Sequence, residues 1–83
     1  MSLREQKKRQ AREDILTAAR ELIESAGFDA ARMRDIASAA NVSYQTLYNY
    51  FPTKTQILQG ILQQDLSHYA DQLQSEEYRY RGD

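Results

Sequence analysis

Residues 36–51 read IASAANVSYQTLYNYF, a stretch whose spacing predicts two short helices joined by a tight turn. Apolar side chains at helical spacing predict the first of these helices over about residues 32 to 40. Asn41 is expected to end it, because asparagine tolerates the left-handed backbone conformation that a sharp turn requires. Ser43 is a ready N-cap for the second helix, which is predicted over about residues 44 to 51. The stretch therefore has the pattern of a helix-turn-helix.

Helices are also predicted on either side of this pair. An apolar stripe runs from about residue 10 to 26, and Gly27 is expected to end that helix in the left-handed conformation, with Phe28 folding back on the last turn. Pro52 prevents the second helix of the pair from continuing. Thr53 and Gln56 then match a capping box that opens a fourth helix. Apolar positions keep helical spacing along it for about twenty residues, longer than a three-helix head needs. Its far half is therefore predicted to be a connector or an interface.

Together these elements predict an all-α fold. It consists of a three-helix helix-turn-helix head, homeodomain-like in architecture, followed by the start of a long fourth helix. We expect a basic N-terminal extension over residues 1–9 and the helix-turn-helix domain over residues 10–65. Residues 66–83 are expected to be the end of a connector helix and a polar tail that frays from Gln74 onward.

Composition and charge limit the class of protein. The chain has 83 residues and no cysteine, which predicts one small domain without disulfides or a structural zinc site. The net charge is −1, but five positive residues face one negative residue between Arg4 and Arg12, and residues 42–64 contain no Asp or Glu. The basic segment can enter a minor groove, lie along phosphates or be only a solvated end, and we favour modest phosphate contact. No signal peptide or membrane span is recognisable, so a soluble, cytoplasmic protein is expected.

The sequence offers no basis for catalysis. His68 is the only histidine, and Asp65 and Asp71 lie three residues before and after it, where a surface pair is the ordinary expectation. A cysteine nucleophile and a glycine-rich phosphate loop are both missing. We therefore predict neither an enzyme nor a cofactor or metal site.

Several short motifs together resemble the tetracycline-repressor (TetR-like) family over about residues 10 to 65. The motifs are Gly27-Phe28, Ile36-Ala37, Asn41-Val42-Ser43, Thr46-Leu47-Tyr48-Asn49-Tyr50-Phe51 and Lys54. The resemblance implies the DNA-binding head of a ligand-responsive bacterial transcriptional repressor. It also implies a homodimer on a near-palindromic operator, formed through a larger C-terminal domain that binds a small effector and that this sequence does not include. The chain is then an excised domain or part of a longer protein.

Two positions depart from the family's usual pattern. Asn41 stands where glycine is usual, and the turn tolerates this exchange. Arg32 stands where threonine is frequent, and it cannot cap the second helix as threonine does. Either Asp29 caps that helix instead, or Arg32 reaches a phosphate.

The candidate contacts with double-stranded DNA follow from side-chain chemistry and from the resemblance. The amides of Gln45 and Asn49 can each bond two atoms of an adenine edge, worth ~1–3 kcal/mol of discrimination per good pair. Hydroxyl and ammonium groups near the helix ends suit phosphates, which fix the register of the protein on DNA. The predicted base-reading residues are Arg34, Tyr44, Gln45, Tyr48 and Asn49, and the predicted phosphate ligands are Ser43, Thr46, Tyr50 and Lys54.

Simpler roles remain open for some of these residues. Tyr48 can contact either bases or phosphates, Tyr50 can be mainly structural, and Arg34 can form only a surface charge pair with Asp35. The alternative for the whole chain is a helical protein-interaction or dimerisation module that does not bind DNA. The acid-free stretch over residues 42–64 argues against that alternative, because a surface that faces phosphates must lack acids.

Overall fold

A computed structural model describes the backbone of residues 2–81 and the side chains of residues 2–73. Within this range the chain forms four helices and no strand, which confirms the predicted all-α fold. The helices are α1 (Leu3–Ala26), α2 (Met33–Ala39), α3 (Tyr44–Tyr50) and α4 (Lys54–Arg81). Helix α1 packs against α2 and α4, and α2 packs against α3.

The apolar stripe predicted that α1 begins near residue 10, but the helix begins at Leu3. Its N-cap is Ser2, whose Oγ accepts a hydrogen bond from the backbone N–H of Glu5 at 3.2 Å. The leucine, arginine, glutamate, glutamine and lysine residues that follow have high helix propensity and need no buried face to be helical. Most of the predicted basic extension is thus the first two turns of α1.

Gly27 ends α1, and its N–H donates to the carbonyl of Ile23 at 2.8 Å. Its φ of 90° is positive, as expected, but its ψ of 160° is extended and differs from the left-handed helical value that was predicted. Residues 28–30 then form a turn, in which the N–H of Ala31 donates to the carbonyl of Gly27 at 3.1 Å.

The turn between α2 and α3 has the predicted local structure. Asn41 has a φ of 59°, the one positive value at a non-glycine residue within the described range. Ser43 caps α3 through its Oγ, which accepts from the N–H of Thr46 at 3.0 Å. No side chain caps α2, whose N-cap residue is Arg32, so the predicted cap from Asp29 is absent.

A single core joins the four helices. Leu47 and Phe51 are buried from the α3 side, as predicted from their spacing. The side chains with almost no exposed surface are Ile15, Leu16, Ile36, Leu47 and Ile57. This core holds α3, only seven residues long, at a fixed angle to α2; such a short helix would not be stable in isolation.

Gly60 lets α1 and α4 approach closely, a role that the sequence did not reveal. A Cβ atom added to Gly60 would lie 2.9 Å from Cδ2 of Leu16 and 3.3 Å from Cε1 of Phe51. Both distances are shorter than ordinary carbon–carbon contacts. The helix therefore uses glycine at this position despite its lower helix propensity.

Helix α4 opens with the predicted capping box. The N–H of Gln56 donates to Oγ1 of Thr53, and the N–H of Thr53 donates to Oε1 of Gln56, both at 3.2 Å. The helix then continues to Arg81, whereas the sequence predicted fraying from Gln74. Beyond the core its apolar positions are largely exposed, namely Leu62, Leu66, Tyr69 and Leu73.

One ion pair within residues 2–73 fastens α4 to α1. Arg20 donates from both terminal nitrogens to the carboxylate of Asp65, with the shorter contact at 2.6 Å. The hydrogen bond from Arg20 lowers the pKa of Asp65 and raises that of Arg20 itself. Asp65 is thus paired with Arg20, and the expected pair between Asp65 and His68 is absent. Nε2 of His68 instead lies 3.2 Å from Nε2 of Gln72. Among the described residues, no helix combines the length and the apolar character needed to cross a bilayer.

Candidate nucleic-acid interface

The outward face of α3 carries the predicted base-reading side chains of that helix. Leu47 is fully buried on the opposite face and fixes the rotation of the helix. Because α-helical side chains repeat every 3.6 residues, the positions two residues before and two residues after Leu47 point away from the core. The exposed set is Tyr44, Gln45, Tyr48 and Asn49.

Two pairs of side chains four residues apart organise this face. The hydroxyls of Tyr44 and Tyr48 lie 3.1 Å apart, and their ring centroids are separated by 4.8 Å. The hydrogen bond with Tyr44 raises the pKa of Tyr48. In the second pair, Nε2 of Gln45 donates to Oδ1 of Asn49 at 3.1 Å.

The amide pair leaves useful groups free to contact a base. Oε1 of Gln45 remains an acceptor, and Nδ2 of Asn49 remains a donor. An adenine edge in the major groove offers a donor at N6 and an acceptor at N7, which complement these two groups. The two amides can therefore act as one preorganised reading unit.

The predicted phosphate ligands have different surroundings. The hydroxyl of Ser43 donates to Oγ1 of Thr46 at 2.8 Å while it caps α3, so its own hydrogen is already used. Thr46 is half-buried, and its hydroxyl keeps a hydrogen to donate. Tyr50 is half-buried and packs against the core, so it has a structural role whether or not it contacts DNA.

Lys54 has protein partners that the sequence did not predict. Its ammonium donates to the carbonyl of Phe28, lies 3.4 Å from the carbonyl of Asp29 and sits 4.3 Å from the centre of the Phe28 ring. These contacts join the start of α4 to the segment that follows α1. An ammonium has three hydrogens, so one remains for a phosphate after two carbonyls are bound.

Arg34 is exposed on α2. It is not paired with Asp35, since the ion pair of the described side chains is the one between Arg20 and Asp65. The surface charge pair considered from the sequence is therefore absent, and the guanidinium is accessible from solvent. Within the described range there is also no cluster of three or more metal-binding side chains.

A basic groove beside α3 was missed by sequence reasoning. It has a volume of about 390 Å³ and is lined by Leu3, Arg4, Lys7, Lys8 and Tyr50. The charges were visible in the sequence, but their place was not, because the start of α1 was predicted too late. The signal that would have found it is the serine at position 2 followed by strong helix formers.

Comparison with known proteins gives a family assignment that agrees with this geometry. The sequence model described as "Bacterial regulatory proteins, tetR family" matches residues 15–61, which include half of α1 and all of α2 and α3. The chain belongs to the TetR family. It is thus a helix-turn-helix domain of a family of DNA-binding regulators, which are not enzymes, and the interaction-module alternative is not favoured.

Curated relatives carry the same kind of name. The HTH-type transcriptional repressor KstR of Mycobacterium tuberculosis is 37% identical over 59 residues, which are 71% of this chain and 27% of the relative. The uncharacterized HTH-type transcriptional regulator YvdT of Bacillus subtilis is 37% identical over 71 residues, or 86% of this chain and 35% of the relative. The HTH-type transcriptional regulator UidR of Escherichia coli is 41% identical over 51 residues, or 61% of this chain and 26% of the relative.

The aligned region spans about a quarter to a third of the length of these curated relatives. No solved structure matches the chain significantly. The activity of a whole regulator, its operator and its partners are therefore matters for proposal.

Proposed function

We propose that this chain is the operator-binding head of a ligand-responsive transcriptional repressor, and that α3 reads double-stranded DNA in the major groove. The observation that carries the proposal is the outward face of α3. It is capped, free of acids and held by the core, and it presents two ordered pairs of polar side chains. A recognition helix in a major groove needs these properties.

The proposed roles follow the surroundings of each side chain. Gln45 and Asn49 read base edges as a pair, and Tyr44 and Tyr48 form a joined aromatic surface that packs on thymine methyls or offers hydroxyls. Arg34 approaches from α2 with an accessible guanidinium, which suits the O6 and N7 atoms of guanine.

Phosphate contacts position the head without reading sequence. Thr46 and Lys54 each keep one hydrogen that can be donated to a phosphate. The hydroxyl hydrogen of Ser43 is already donated to Thr46, so Ser43 contributes only through its position as the cap at the start of α3. Tyr50 combines core packing with a hydroxyl at the end of α3.

The wider proposal concerns the regulator to which this head belongs. We propose a cytoplasmic homodimer in which two heads bind half-sites of a near-palindrome, with a small effector bound by a C-terminal domain. Relatives several times longer than the aligned region and named as transcriptional regulators support it. The exposed apolar positions on α4 are consistent with a helix that continues into further structure.

Selection of binding sites from a randomised duplex pool tests the proposal directly. We expect one motif to emerge and to bind more tightly than a scrambled duplex at low and at moderate salt. If no motif emerges but the affinity for DNA falls steeply with salt, this chain binds phosphates and does not by itself read the base sequence. Binding of no duplex even at low salt would contradict the proposal and favour the interaction module.

Substitution of Gln45 tests base reading. Gln45→Ala should relax the preference mainly at one base pair per half-site, with a loss of ~1–3 kcal/mol for the preferred base. Gln63→Ala is a matched control, because Gln63 is an exposed glutamine on α4, outside the proposed reading face. An unchanged base preference in the Gln45 variant would remove this residue from the reading set.

A further inference from the structure

The groove between the start of α1 and the end of α3 is lined mostly by cations. Arg4, Lys7 and Lys8 lie on its α1 side, and Tyr50 closes it from α3. Arg4, Lys7 and Lys8 stand at i, i+3 and i+4, so the helix brings them to one face. No acid lines the groove, and none of the three cations is in the ion pair of the described side chains.

The same side of α1 is anchored to the end of α3. The guanidinium of Arg12 lies 5.4 Å from the centre of the Phe51 ring, and Phe51 is the C-cap of α3. Arg12 follows Lys8 by four residues, so the basic face runs continuously from the groove to this contact. The cationic turns of α1 are therefore held beside the recognition helix by a rigid helix and are not a loose tail.

We infer that this groove binds backbone phosphates of the DNA next to the base pairs that α3 reads. The inference rests on the proposed function and deepens it. Tyr50 is the last residue of α3 and directly follows Asn49, so the groove begins where the reading face ends. Three cations with a nearby phenol fit an anionic backbone that passes this point.

The α1 side of the groove lies outside the region that the family model matches. That match begins at residue 15, whereas all the groove residues of α1 precede it. The proposed phosphate site is formed by the first two turns of α1 together with Tyr50. It adds affinity and fixes the orientation of the head on DNA, but it reads no sequence.

The test compares single charge removals on two faces of the same helical segment. Lys7→Gln and Lys8→Gln remove groove cations, and Arg9→Gln removes a neighbouring exposed cation that does not line the groove. All three variants lose one positive charge and keep a residue of high helix propensity, so long-range charge and folding are matched. Unchanged circular dichroism confirms that each variant is folded.

Affinity for a mixed-sequence duplex of about 30 base pairs is measured at several salt concentrations. The affinity of the parent falls by some factor when the salt concentration rises from about 50 to 200 mM. Each lost phosphate contact should make this factor about 3.5 times smaller. We expect this reduction for Lys7→Gln and for Lys8→Gln, and a clearly smaller one for Arg9→Gln. Equal reductions in all three would overturn the groove and leave only diffuse charge.

Tyr50→Phe separates the hydroxyl from the packing of the ring. The variant keeps the core contacts of Tyr50, so its thermal unfolding should match the parent while its affinity falls at every salt concentration. Unchanged affinity would overturn the assignment of Tyr50 to the groove. If the parent chain binds no duplex, the proposed function fails; if the parent binds and the groove variants behave like Arg9→Gln, the groove inference alone fails.

Discussion

Replacement of Gly60 by alanine tests the closest contact between α1 and α4. The added Cβ would lie 2.9 Å from Cδ2 of Leu16 and 3.3 Å from Cε1 of Phe51. Leu16 has no exposed surface and Phe51 is 4% exposed, so neither side chain can turn into solvent. Overpacking of a buried site typically costs about 1–3 kcal/mol, while the better helix propensity of alanine contributes about 1 kcal/mol in the opposite direction.

We therefore expect Gly60→Ala to destabilise the domain by about 1 kcal/mol, the difference between these two effects. For a domain of this size, that change lowers the midpoint of thermal unfolding by roughly 4–8 °C. Circular dichroism during heating and during urea titration measures both quantities. The propensity contribution can be measured separately at the exposed neighbour Gln59, as the difference in stability between Gln59→Ala and Gln59→Gly.

A double-mutant cycle locates the clash. In a Leu16→Ala background the methyl group that Gly60→Ala adds enters the space that the leucine side chain has left, so this substitution should become neutral or stabilising. If Gly60→Ala stabilises the parent by as much as the control at Gln59, the two helices are not in the close contact described. An unchanged penalty in the Leu16→Ala background would show that the strain lies elsewhere.

Other expectations follow from single contacts. Leu47→Ala should cost ~2–5 kcal/mol as a truncation at a fully buried site, and an unaltered urea midpoint would contradict the packing of α3. Asn41→Gly should leave the unfolding midpoint nearly unchanged, whereas Asn41→Ala should cost about 1 kcal/mol because its φ is 59°; equal stability of the two variants would show that the turn does not need a left-handed residue. The lowered pKa of Asp65 arises first from its hydrogen bond with Arg20, so the pair stabilises the fold above the ordinary carboxyl pKa and loses this effect as the pH falls through the lowered value. Asp65→Asn should therefore flatten the decline of the melting temperature below about pH 4, whereas Asp71→Asn, at another exposed acid of α4, should not.

Local signals explain why the centre of the fold was predictable. Asn41 ends α2 and Ser43 caps α3 through bonds that reach no further than three residues, and Leu47 lies on the buried side that its spacing indicates. Each of these features is written into a few consecutive residues. The family motifs cover the same stretch, so the resemblance and the local chemistry pointed to one architecture.

Features that join distant parts of the chain escaped prediction. Lys54 contacts the carbonyl of Phe28, 26 residues away, and Gly60 meets Leu16 across the interface between α1 and α4. Nothing in the spacing around either residue identifies its partner. The groove at Tyr50 was missed for a related reason, because its α1 side depends on a helical start at Leu3 that propensity and capping produce without an apolar stripe.

The length of α3 explains why the role of its outward face is hard to interpret from sequence. Seven residues are too few for a helix that is stable by itself, so α3 depends on the Ser43 cap and on the burial of Leu47 and the adjoining Phe51. These requirements occupy the inner side of the helix and leave its outer side free of any folding constraint. Side chains on the outer side can therefore change without loss of the fold. Contacts between them, such as the hydrogen bond between Gln45 and Asn49, restrict only the conformations of the two side chains involved. The fold therefore identifies which side chains of α3 are exposed, whereas any base sequence that they prefer depends on chemistry that folding does not constrain.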